Sequence, residues 1–199
     1  MAYRDYTLRK LKQQFKLEQD NVVLFNKKTV KTVKASRRLN LELTEGQAMP
    51  LLTEKAKSEL LIAPILKELN RNNPFLSIFS GYTFNIEGIE ELSGAPDFMI
   101  SNKPHKVEIE SPVFCLVESK NKTPDEGYAQ CAAEMYAARI FNQQMGETHE
   151  NIYGVVTNAF EWVFMKLEGN RILIDQERYF INEIPRLLGV LQIIVDKYK

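Results

Sequence analysis

Apolar positions along the chain change period several times, and each change predicts an element. Leu8, Leu11 and Phe15 recur at helical spacing with lysines between them, predicting a short basic helix within residues 5–18. Val22-Val23-Leu24-Phe25 and residues 29–33 are β-branched enough to form strands or a hairpin. Helical period returns over residues 53–69, with Thr53 as N-cap and Pro64 placed to kink or break the helix locally. Strand texture follows over residues 76–86, 95–100 and 112–118, with Asn102-Lys103-Pro104 as a turn between the second and third. Residues 125–144, rich in alanine and methionine, predict a helix, and residues 152–157 another strand. Residues 160–167 and 171–174 predict a hairpin across Glu168-Gly169-Asn170. The last helix starts near Pro185 and carries an apolar stripe of Ile184, Leu187, Leu188, Leu191, Ile194, Val195 and Tyr198. No internal repeat is visible. This order implies an α/β fold, a mixed β-sheet flanked by helices.

At 199 residues, with 44% hydrophobic and 26% charged content, the chain suits one globular domain with a sizeable core. No apolar run approaches the ~20 residues needed to cross a bilayer, so no membrane association is expected. The start, Met1-Ala2-Tyr3-Arg4-Asp5, lacks the apolar stretch of a signal peptide. Cys115 and Cys131 sit in apolar or helical patterns and read as reduced core thiols, which fits a cytoplasmic setting. Two thiols also fall short of the four that an iron–sulfur cluster takes.

Charge is balanced overall but not along the chain. Residues 1–40 hold 11 Lys and Arg against 3 Asp and Glu, a net +8, which leaves −8 on the remainder. A basic N-terminal extension over residues 1–50 on an acidic body suits a phosphate-bearing partner, or packing on the acidic body of another subunit.

The chemistry concentrates in two acidic motifs on apolar runs, Gly94-Ala95-Pro96-Asp97-Phe98-Met99-Ile100 and Val113-Phe114-Cys115-Leu116-Val117-Glu118-Ser119-Lys120. Strand alternation puts Glu118 and Lys120 on one face and Ser119 on the other. If the two strands pair antiparallel, the start of one lies beside the end of the other, and Asp97 meets Glu118 at one edge of the sheet. Carboxylates on buried strands are costly unless something satisfies them. A shared divalent cation does so, and hard oxygen ligands completed by water are what Mg2+ prefers.

These residues resemble the PD-(D/E)XK nuclease superfamily, the restriction-endonuclease-like fold. The match runs over residues 53–167: Pro96-Asp97, then Glu118-Ser119-Lys120, then Gln130 on the following helix. It looks closest to the nuclease domains of type I restriction motor subunits and their small stand-alone relatives. Glu59, in Glu59-Leu60-Leu61-Ile62-Ala63-Pro64, has the look of the acidic residue that precedes the sheet in those proteins. The resemblance implies Asp97, Glu118 and the Ser119 carbonyl as ligands of Mg2+, with Mn2+ as a substitute. It makes Lys120 the catalytic lysine, Glu59 an accessory acid near the metal, and Gln130 a supporting or phosphate contact. The implied activity is hydrolysis of phosphodiester bonds, with DNA as partner and a homodimer as the common way to cut two strands. The alternative is a nuclease-fold protein without turnover that binds nucleic acid or serves assembly.

Several residues are expected to be ordinary. Glu59 either faces the site or marks the boundary of its helix's apolar stripe. Glu134, four residues after Gln130, reads as an exposed polar pair with it before a metal contact. Tyr128 and Tyr136 read as packing residues with hydroxyls at the rim, Thr157-Asn158 as a turn, and Trp162 as core. His105 and His149 read as surface residues. The phosphate-loop pattern GxxxxGK[ST] is absent, which argues against motor activity within this chain.

Overall fold

A computed structural model of the chain describes residues 2–104, 107–147, 149 and 151–199. His105 therefore lies outside the described residues. The chain order begins with helix α1 (Leu8–Phe15), strand β1 (Glu18–Val22) and helix α2 (Arg37–Gln47). Helix α3 (Glu54–Lys57), a π-helical turn (Ser58–Ile62) and helix α4 (Ala63–Asn72) then run as one continuous rod. Strands β2 (Ser77–Ser80), β3 (Phe98–Ser101) and β4 (Val113–Ser119) precede helix α5 (Tyr128–Gln144). Strands β5 (Asn151–Thr157), β6 (Glu161–Glu168), β7 (Arg171–Asp175) and β8 (Tyr179–Phe180) lead to helix α6 (Ile184–Asp196).

All eight strands join one mixed sheet in the order β1-β7-β6-β5-β4-β3-β2, with β8 added on β6. β3 runs antiparallel to β4, with Phe98 opposite Val117 and Met99 opposite Leu116. β4 runs parallel to β5. Residues alternate between two cores, one on each face of the sheet. Phe98, Val117, Val155 and Phe164 pack beneath α2, α4 and α6, whereas Met99, Leu116, Val156 and Val163 pack beneath α1 and α5. A register shift between Ile100 and Ser101 opposes Cys115 and then Val113, leaving Phe114 as a bulge. Cys115 and Cys131 are free and buried. Among the described residues no helix is long and apolar enough to cross a membrane.

Pro64 acts as its position implies. Thr53 caps the rod by accepting from the Ala56 amide, and the Ala63 amide reaches back five residues to the Ser58 carbonyl. Proline offers no N–H to the Leu60 carbonyl, so the ladder shifts to the wider π spacing just before it. Gly46 of α2 packs against this turn: a Cβ there would lie 2.5 Å from the Leu60 oxygen.

Three expectations of local structure change. Of residues 22–25 only Val22 lies in a strand, as the last residue of β1. Residues 29–33 form no strand: after a turn they run extended against α6, with the Val33 amide donating to the Pro185 carbonyl. A Cβ on Gly189 would lie 2.1 Å from the Lys31 oxygen, so the contact is tight. The strand expected over 76–86 ends at Ser80, and residues 81–97 loop out before returning as β3. The basic N-terminal segment is woven into the fold. Its Leu11 and Leu39 are fully buried, and β1 pairs with β7 at the edge opposite β2.

Overpacking at the π turn sets a test of this architecture. Gly46→Ala is expected to destabilise the chain by about 1–3 kcal/mol, because the new methyl meets backbone that has no room to move. Urea unfolding with an unchanged m-value should read this loss, whereas an unchanged midpoint would contradict the close approach.

Candidate active site

β3 and β4 deliver their acidic residues to one point because of register. With Phe98 opposite Val117, the preceding residue Asp97 comes opposite Glu118. That point lies at the ends of interior strands, β4 having neighbours on both sides, and not at a lateral edge of the sheet. Asp97 Oδ2 accepts from the Ser119 amide at 2.7 Å. The loop that brings Asp97 there is held at several points. The Gly81 amide donates to the Asp97 carbonyl at 3.0 Å, and the Phe84 amide to Gly94 at 2.7 Å. Tyr3, from the N-terminal segment, donates its amide to Ser93 at 3.0 Å and its hydroxyl to the Phe84 carbonyl at 2.6 Å.

Glu118 and Lys120 share a face, as alternation requires. The Lys120 ammonium donates to Glu118 Oε1 at 2.6 Å and to Gln130 Oε1 at 3.0 Å. Gln130 in turn donates from Nε2 to Glu134 Oε1 at 3.1 Å. The Glu118 and Lys120 side chains are only 3% and 15% exposed, so this pair is dry. α5 brings Gln130 onto Lys120 and Glu134 onto Gln130, while Asp97 lines a cleft with Glu54 and Glu59.

The expectation of an exposed Gln130–Glu134 pair fails. Glu134 is fully buried, among Cys131, Ala132, Ala133 and Met135, because α5 is sandwiched and apolar on most of its faces. Its second oxygen, like that of Glu118, is buried without a hydrogen-bond partner. Spacing on the helix showed the shared face; only the uniformly small and apolar neighbours signalled burial.

Glu59 is placed at the mouth of the site. Its side chain is 65% exposed, with Lys55 Nζ at 3.9 Å. It lines a shallow cleft of about 260 Å³ with Glu54, Ser58, Ser80, Gly81 and Asp97. Glu54 went unnoticed in the sequence because it reads as a routine first-turn acid after the Thr53 cap. Burial, partly offset by Lys120 and then reinforced by Asp97, holds its carboxyl above the ordinary range.

The other residues settle as ordinary structure. The Tyr128 hydroxyl accepts from Arg178 at 2.7 Å, and Tyr136 stacks on Phe15. Asn158 Oδ1 accepts the Phe160 and Glu161 amides, closing a turn. Trp162 is fully buried, and His149 is exposed.

Three carboxyl groups thus cluster about one ammonium: Glu118 pairs with it, Glu134 is reached through Gln130, and Asp97 lines the cleft. Burial and then repulsion from Asp97 push Glu118 up to about 7, against the pull of Lys120. Burial likewise raises Asp97 despite the Ser119 amide, and burial followed by Glu118 raises Glu134 well above the ordinary range. Burial alone would depress Lys120, but the Glu118 charge outweighs it and holds the ammonium above its usual value. The lysine is a firm cation at neutral pH.

Among the described residues, no group of three His, Cys, Asp or Glu side chains is gathered closely enough to hold a metal by itself. The donor set nevertheless fits a hard cation that keeps much of its water. Asp97 and Glu118 supply oxygens, the bare Glu118 oxygen has no other partner, and the excess of negative charge calls for a cation. No protein-family model matches the chain, and comparison with curated proteins finds no match.

The raised carboxyls fix a pH dependence. The folded chain binds their protons more tightly than the unfolded chain does, so the stability these groups contribute is greatest at low pH and falls as pH rises. For Glu118 the loss spans the interval from 4.5 to about 7 and amounts to roughly 3 kcal/mol. Chemical denaturation of the metal-free protein from pH 5 to 8 should show this decline, with a flatter profile in Glu118→Gln. A rise in stability across the interval would contradict the burial of these acids.

Proposed function

We propose that the chain is a Mg2+-dependent nuclease of the PD-(D/E)XK type that hydrolyses phosphodiester bonds, with DNA as its substrate. The observation that carries this reading is the buried ion pair of Glu118 and Lys120, at 2.6 Å, beside Asp97 on the adjacent antiparallel strand. Two acids and a lysine drawn to one point by strand register are what such hydrolysis needs. The mixed sheet flanked by helices is compatible with the restriction-endonuclease-like fold.

Asp97, Glu118 and the Ser119 carbonyl would hold the cation, with Glu54 or Glu59 reaching it through water. When bound, Mg2+ supplies an acidified water and neutralises charge on the phosphate. The chain's own residues do the rest. Lys120, being cationic, donates to the attacking water or to a phosphate oxygen as negative charge grows there. Gln130 holds the ammonium in place together with Glu118. Asp97 is held through one oxygen by the Ser119 amide, which leaves the other for the cation.

The mouth carries Glu54, Glu59 and Asp97 against Lys55, so a polyanion would approach it with the cation bound. Lys55, 83% exposed, lines the cleft that contains Asp97. The basic N-terminal segment contributes differently from the sequence expectation. β1 adds at the sheet edge four strands from β4, about 19 Å away at the usual strand spacing, so the segment meets the site's surroundings through Tyr3 on the loop before Asp97 and not through that strand.

Purified protein should cleave DNA only when Mg2+ or Mn2+ is present, and Asp97→Ala and Lys120→Ala should each abolish cleavage while keeping a cooperative melt. Equal cleavage by parent and variants would overturn the reading. Mg2+ should also raise the melting temperature of the parent by several degrees at millimolar concentration, and not that of Asp97→Ala. Salt-sensitive DNA binding without any metal-dependent shift would favour a binding module in place of the enzyme.

A further inference from the structure

Glu134 carries a fully buried carboxyl whose second oxygen has no hydrogen-bond partner. Packing alone does not account for it. A methionine or leucine would fill the same space among alanines without leaving a polar atom bare, a deficit that typically destabilises. What distinguishes Glu134 is its one hydrogen bond, from Gln130 Nε2 at 3.1 Å.

We propose that Glu134 is a positioning residue: it fixes the Gln130 amide oxygen-first against Lys120, and so sets where the lysine's remaining donor points. The two ends of a primary amide are nearly the same shape but opposite in hydrogen-bonding sense. Turned the other way, Gln130 would set an NH2 group against an ammonium, donor to donor. An acceptor behind the amide nitrogen removes that choice, and Glu134 Oε1 is that acceptor. A carboxylate offers only acceptors, and a neutral carboxyl still offers its carbonyl oxygen, so either form holds the amide.

An ammonium has three donors. Glu118 and Gln130 take two of them, at 2.6 and 3.0 Å. The third is thereby aimed instead of free to rotate. The line Glu118–Lys120–Gln130–Glu134 is anchored at both ends by buried carboxyls, and Glu134 sits one helical turn along α5 from Gln130, where the rod of the helix holds it.

The catalytic part of this inference rests on the nuclease reading, so the test has two arms. In the first, the Lys120 Nζ signal is followed by NMR in full-length chain carrying 15N-labelled lysine, assigned with Lys120→Arg. Glu134→Met and Gln130→Met should shift and broaden it alike, the double variant should add nothing, and Glu134→Gln should keep the parental signal. In the second, both methionine variants should lower kcat about tenfold or more with KM nearly unchanged, with rescue in Glu134→Gln.

A folded Glu134→Met with parental Lys120 signal and parental kcat overturns the proposal. Glu134→Leu is a second apolar variant; if neither melts cooperatively, Glu134 is a packing requirement and the proposal falls. Variants that show the Lys120 changes, alongside a parent that cleaves nothing, uphold the positioning and defeat the nuclease reading instead.

Discussion

Three carboxyl groups, Glu118 and Glu134 buried and Asp97 half-buried, gather about one ammonium at the ends of two central strands, and the surplus negative charge there is the constraint on which the site depends. In a low-dielectric setting, unpaired charge is costly enough that the chain must either take up protons or attract a cation. Glu118 does the first in the metal-free state, with its titration pushed up to about 7. The other oxygen of the same carboxyl has no hydrogen-bond partner, a deficit that a bound cation would satisfy. A chain selected for stability alone would have no cause to place Asp97, Glu118 and Glu134 around a single lysine.

The surrounding fold is arranged to keep that point from relaxing. The antiparallel register of β3 and β4 sets Asp97 opposite Glu118, and the Ser119 amide ties Asp97 to the end of β4 at 2.7 Å. The loop before Asp97 is pinned by Tyr3, whose ring also occupies the space a Cβ on Gly94 would need, 2.7 Å away. The N-terminal segment thus acts on the site through the loop it holds. α5 closes the opposite side, packed tightly on β5: a Cβ on Gly154 would meet the sulfurs of Cys131 and Met135, each at 2.6 Å. That closeness lets Gln130 reach the lysine with Glu134 buried behind it.

Much of this was legible in the chain because it follows from period alone. Strand alternation placed Glu118 with Lys120, antiparallel order brought Asp97 to them, and the proline at position 64 marked the helix defect. The stripe from Ile184 to Tyr198 is buried as its spacing required. The misreadings arose where tertiary contact overrides local pattern. Residues 29–33 have strand-like side chains but lie against α6, with Val33 bonded to Pro185 in place of a strand partner. Positive charge in the first 40 residues suggested an arm, yet apolar residues within it, Leu11 and Leu39, tie it into the two cores. Glu134 looked solvated because glutamate usually is. Glu54 was hidden because a helix start favours an acid there whether or not a site lies beside it.

The central claim is that Asp97 and Glu118 together hold a divalent cation. The most direct measurement is anomalous diffraction from crystals of the protein grown or soaked with Mn2+. The account expects a single strong anomalous peak within bonding distance of both carboxylates, lost in Asp97→Ala. Crystals at saturating Mn2+ with no peak there, or with manganese only at surface carboxylates elsewhere, would contradict it.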